Sequence, residues 1–200
     1  MFDWKDILEF WFGELDGNGL PDPNHRKRWF QGSRIFDQEI RRRFLSMVLF
    51  ASEGGLEHWR SEPGGALAEI ILLDQFSRNI YRGNSMAFEQ DALARRLCRQ
   101  AMNRGQDMSL PPIMRAFMYM PLEHSERLQD QELSVECFEQ LAASSSGPLG
   151  EILESFAASA REHRDIIQSF GRFPHRNRIL GRKPKVGEEE YMAKGKRFGQ

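Results

Sequence analysis

Between Arg172 and Lys185 the chain carries six lysines and arginines, one histidine and no carboxylate. Guanidinium forks grip carboxylates and phosphates through paired hydrogen bonds, so Arg172, His175, Arg176 and Asn177 read as ligands for an anion. Pro174 stiffens the segment and lowers the cost of ordering it. A second set emerges from an apolar run, Ile70-Ile-Leu-Leu-Asp-Gln-Phe-Ser-Arg-Asn-Ile-Tyr-Arg82. On a helix turning about 100° per residue, Asp74, Gln75, Arg78, Asn79 and Arg82 fall within an arc of about 140°, opposite Leu72, Leu73, Phe76 and Ile80. On a solvated face the Asp74/Arg78 pair contributes only ~0.3–0.5 kcal/mol. Ile70 and Ile71, however, extend the apolar surface towards the same arc, which points to a partly buried polar network.

A third set, Glu123, His124 and Glu126, lies in Met120-Pro-Leu-Glu-His-Ser-Glu126, and Glu162-His-Arg-Asp165 repeats its composition. General acid-base chemistry needs one histidine within reach of a carboxylate, which makes His124 or His175 beside Glu123 the catalytic candidates; His163 is a further such histidine. A metal is not expected. Paired-metal bundles use Glu-x-x-His, but Pro121 and Ala160 stand three residues before His124 and His163, and His-Glu-x-x-His is absent. No Walker loop, dinucleotide fingerprint, nucleophile elbow or regular Cys/His spacing occurs either, and no cofactor is implied. The competing account makes each charge a structural tie, with the arginines pinning a C-terminal loop onto Glu123 and Glu126 and with Lys183 and Lys185 in a solvated tail.

Helices must position all three sets, because helical periodicity runs through the chain and hairpin alternation does not. Asp3 caps a first helix bearing Ile7, Leu8, Trp11 and Phe12, which Gly13 stops. Leu15 to Asn24 reads as loop. Residues 33–52 give a helix with Ile35, Phe36, Ile40, Phe44, Met47 and Val48 as its apolar stripe. Pro63 opens a helix to about Tyr81, and Ser85 caps one reaching Asn103. Pro111-Pro112 starts a helix that should break at Pro121; others follow over about Leu122 to Ala143 and Leu149 to Phe170. The expected architecture is a single all-α domain over residues 1–182, an irregular stack of antiparallel helical hairpins of the tetratricopeptide-like sort. A polar C-terminal tail over 183–200 follows, with at most a short helix around Glu188 to Lys194.

Composition limits the partners. With 200 residues, 40% hydrophobic content and 15 phenylalanines, one well-buried core is the natural outcome. A net charge of -1 excludes organisation around nucleic acid, and no apolar run reaches the ~18 residues of a membrane span. The acidic start is unlike a signal peptide. Cys98 and Cys137 show no metal or disulfide spacing, which fits a reducing cytoplasm. Oligomeric state is not set by any of these features.

Leu8-Glu-Phe-Trp-Phe-Gly13, Ile71-Leu-Leu-Asp-Gln-Phe-Ser-Arg-Asn-Ile-Tyr-Arg-Gly83, Met120-Pro-Leu-Glu-His-Ser-Glu126, Phe173-Pro-His-Arg-Asn177 and Leu180-Gly-Arg182 together resemble the bacterial family known as domain of unknown function 924. The similarity spans about Trp4 to Arg182. It implies an all-helical, tetratricopeptide-like fold and carries no catalytic role. Asp74, Gln75, Arg78, Asn79, Glu123, His124, His175, Arg176 and Asn177 fall in the stretches that mark the family.

Three functions follow as expectations. The first is a binding protein in which Asp74, Gln75, Arg78, Asn79, Arg82, Arg172, His175, Arg176 and Asn177 hold a small anionic ligand or a carboxylate-bearing peptide. A metal-independent hydrolase or transferase using a His/Glu acid-base pair is the second, and a structural or interaction module without a ligand is the third. The discriminating expectation is that Asp74, Arg78 and His175-Arg176-Asn177 meet in one site.

Overall fold

A computed structural model describes residues 3–194, and every regular element among them is helical. Helix α1 (Trp4–Phe12) starts where the Asp3 carboxylate accepts the Lys5 amide at 3.0 Å, and it stops at Gly13, whose φ of 62° suits a residue without a Cβ. A helix that the sequence reading did not assign follows: α2 (Pro23–Phe30), capped by Asp22 through the Asn24 and His25 amides. Then come α3 (Arg34–Ser52) and α4 (Pro63–Ile71). The expected stripe of α3 faces the core except for Ile35, which is 81% exposed.

The helix expected from Pro63 to Tyr81 is interrupted in pitch. After α4 the chain widens into a π turn at Leu72–Phe76 before resuming as α5 (Ser77–Ile80). The Ser77 amide donates to the Leu72 carbonyl five residues back, and the inserted residue shifts every later side chain around the axis. Uniform α pitch, assumed in the arc above, therefore does not hold across Asp74 to Arg82. Asn84, not Ser85, provides the next cap, accepting the Met86 amide at 3.0 Å ahead of a single 3-10 stretch, and α6 (Asp91–Asn103) begins later than expected.

Helix α7 (Pro112–Glu123) runs through Pro121 instead of breaking there. The bond that proline removes belongs to the last turn, which the His124 amide closes onto the Met120 carbonyl at 3.0 Å. The break falls at residues 125–127, before α8 (Leu128–Ala143) and α9 (Gly147–Phe170). Pro174–Arg176 forms one 3-10 turn, and α10 (Glu188–Lys194) closes the described chain.

Helix α1 packs on α4, α3 covers the π turn and α5, and α7, α8 and α9 lie side by side. At their junction Trp11, Phe12, Phe76 and Phe117 are at most 1% exposed, each such burial contributing about 1.5–3 kcal/mol. Their rings meet edge to face, Trp11 with Phe76 at 5.4 Å and Phe12 with Phe117 at 5.3 Å. The Trp29 indole donates to the Trp11 carbonyl at 2.9 Å, which fastens α2 to α1.

Candidate functional site

Beside this aromatic core lies a cavity of about 380 Å³. The π turn and α5 line it with Gln75, Arg78 and Asn79, and Arg82 follows just beyond; the end of α7 adds Met120, Glu123 and His124. Ser155, Phe156, Ser159 and His163 come from α9, His175 and Arg176 from the 3-10 turn, and Trp29, Phe30 and Phe88 complete the apolar wall.

Asp74 is fully buried beneath this surface. Its Oδ1 meets His124 Nδ1 at 2.7 Å and Arg78 at 3.1 Å, while Oδ2 accepts from the Gln75 amide at 2.6 Å. Burial pushes the Asp74 carboxyl up, but Arg78 and His124 outweigh it, so that the net shift is well below the ordinary range. Arg78 makes a two-pronged contact with Asp91, at 2.9 and 3.1 Å, and donates to the Asp74 carbonyl at 3.0 Å. Burial opposes its charge, and Asp74 and Asp91 more than restore it.

Arg176 is less well compensated. Its ion pair with Asp91 is long, at 3.4 Å, and its other hydrogen bond reaches the His124 carbonyl at 3.0 Å. The guanidinium lies between Phe88 and Phe173, 4.6 and 4.5 Å from the ring centres, and its Nε is buried without a protein acceptor. Burial lowers the Arg176 pKa to about 10 despite Asp91. Burial, then Arg176 itself, pushes His175 down to about 3. His163 Nδ1 lies 2.9 Å from the Ser159 carbonyl and 3.0 Å from Glu123, whose carboxylate also accepts from the Ser159 hydroxyl at 2.8 Å. Burial lowers His163 in spite of Glu123.

Of the sequence-expected ligand residues, Gln75, Arg78, Asn79, Arg82, His175 and Arg176 line the cavity and Asp74 supports it from behind, together with the catalytic candidates Glu123 and His124. Asn79 and Arg82 both bond Asp37, at 2.8 Å for Asn79 and at 2.7 and 2.9 Å for Arg82. Arg172 and Asn177 lie elsewhere, both donating to the Glu188 carboxylate. Arg182 pairs with Glu126 at 2.7 and 3.0 Å, a tie of the C-terminal segment onto an acidic side chain. Sequence reasoning missed Asp91, Asp37 and the ring wall, since a first-turn acid and core aromatics carry no distinctive spacing. Among the described residues no three His, Cys, Asp or Glu side chains come together as metal ligands, and no helix is long and apolar enough to cross a membrane.

The family described as "Bacterial protein of unknown function (DUF924)" matches residues 7–196. The chain belongs to this family. Among solved structures, the protein of unknown function ATU0120 from Agrobacterium tumefaciens superposes with a TM-score of 0.82 at 32% identity, over 96% of this chain and 97% of that one. A search of curated proteins finds no match. The DUF924 match reaches beyond Arg182 into the segment that contains Glu188.

Proposed function

We propose that the cavity binds a small molecule with a carboxylate or phosphate head and an apolar body. The observation that carries this reading is Arg176, a buried guanidinium on the cavity wall whose one carboxylate contact among the described residues is long. Burying a cation is costly until hydrogen bonds and countercharge compensate it, and an anion in the cavity supplies both. The lining groups include three guanidiniums, of Arg78, Arg82 and Arg176, and one carboxylate, Glu123; Asp37, Asp74 and Asp91 stand behind the arginines. Trp29, Phe30 and Phe156 offer the apolar body a wall. A space of this size suits a small ligand better than a peptide. The side-by-side α7, α8 and α9 with their short connections support the tetratricopeptide-like hairpin reading, and two buried free cysteines support a reducing compartment.

Thermal unfolding with phosphate, malonate and phenyl phosphate tests the reading. Phenyl phosphate should raise the midpoint most, and Arg176→Met should abolish the rise while helical circular dichroism is kept, because Asp91 retains Arg78. No rise with any of the three, or an equal rise in the variant, would overturn it.

A further inference from the structure

The three cavity histidines are held in different ways. His163 has its Nδ1 against a backbone carbonyl and Glu123, and its side chain is only 8% exposed. His175 is kept neutral by burial and Arg176. His124 alone of the three places Nδ1 on a carboxylate that is itself 1% exposed, while its own side chain remains 18% exposed at the cavity.

We propose that His124 is a general base acting on a ligand or water in this cavity, with Asp74 as its positioning residue; the inference rests on the cavity being a ligand site. Nδ1–H donating to Asp74 leaves the Nε2 lone pair, at the far side of the ring, for the cavity. The surrounding backbone is fixed from two directions: Arg176 donates to the His124 carbonyl at 3.0 Å, and buried Gln131 donates to the carbonyls of Glu123 and Ser125 at 2.5 and 2.7 Å. Asp74 in turn sits on the π turn, a distortion concentrated at functional sites. The step is a proton transfer from water or a substrate hydroxyl. Nε2 takes the proton, the O–H electron pair stays on the oxygen, which becomes the attacking nucleophile, and Asp74 balances the imidazolium. That oxygen bonds to the phosphorus or acyl carbon of the ligand as the bond from this atom to the leaving oxygen breaks, its electron pair going to the leaving oxygen, which takes the proton from Nε2 so that the ring returns to neutral. Such chemistry is hydrolysis or group transfer on the anionic ligand.

The charged or titratable groups around the ring are Asp74 and Arg78 from the π turn and α5, Glu123 from α7, His163 from α9, and His175 and Arg176 from the 3-10 turn. A permanent imidazolium among them would be a structural ion pair. Long-range 1H–15N correlation spectra of the histidine-labelled chain, from about pH 5 to about pH 9, separate the two, with His124→Gln to assign the ring. An Nδ1–H tautomer with its Nε2 unprotonated is expected. So is carbethoxylation of His124 by diethyl pyrocarbonate, slowed by phenyl phosphate and, in Asp74→Asn, slowed through loss of the Nδ1–H tautomer. An imidazolium throughout, or an Nε2–H ring inert to the reagent, overturns the assignment on the parent protein alone, even if Asp74→Asn does not fold. A midpoint rise with phenyl phosphate alongside a permanently charged ring would sink the base and spare the binding reading; no rise at all would sink both.

Discussion

Burial disfavours the charged forms of His163 and His175 in the folded state, and acid should expose that. Burial, then Arg176, takes His175 from 6.5 to about 3, and burial lowers His163 against the pull of Glu123. As the pH falls below about 6.5 the unfolded chain binds protons that the folded chain refuses, so stability falls, by at most about 1.4 kcal/mol per pH unit for each histidine. Urea unfolding at successive pH values should show this slope between neutrality and about pH 4, and His175→Gln should flatten it. Asp74 and Glu126 have folded pKa values below their ordinary ones: burial acts upward on each, and is outweighed by Arg78 and His124 for Asp74 and by Arg182 for Glu126. Their contribution is present above the ordinary carboxylate range and is lost only as the pH falls through it, so a second, lower decline should remain in the histidine variant.

Where α4 meets the segment before it, an added Cβ on Gly65 would stand 2.2 Å from the Trp59 carbonyl oxygen. That obstacle is backbone and cannot swing aside. Gly65→Ala should therefore destabilise the chain by about 1–3 kcal/mol despite the better helix propensity of alanine, measured as a lower urea midpoint. Helix α1 was legible in the sequence because cap, apolar face and Gly13 agree, and α3 for similar reasons. Helix α2 had a signal in Asp22-Pro23 that its polar surroundings obscured. The π turn had none, since a five-residue hydrogen-bond step is selected by the packing of α3 and α6 around it. In the cavity, Asp74, Arg78 and Arg176 were visible as charges emerging from apolar or unbalanced stretches; Asp91 was hidden because its partners lie 13 and 85 residues away.

The C-terminal segment is held by charge, within itself through Glu188 and to the loop before α8 through Arg182 and Glu126. Glu188, only 1% exposed, accepts from Arg172, Asn177 and the Lys185 amide, and its pKa is held to about 2, chiefly by Arg172. Of the expected tail, residues 195–200 lie outside the described residues. Removing residues 183–200 should lower the thermal midpoint, and Glu188→Gln should reproduce much of the loss. The hydrogen bonds of the cavity also span great lengths of chain, 50 residues from Asp74 to His124 and 52 from His124 to Arg176. A nascent chain emerging from the ribosome therefore holds Asp74 and Arg78 through roughly a hundred further residues of synthesis before Arg176 exists to meet them. Loop closure of this order is slow relative to local helix formation. In refolding, helical signal should return first and protection of His124 from carbethoxylation by phenyl phosphate last, so that the binding proposed above would mark a fully folded chain.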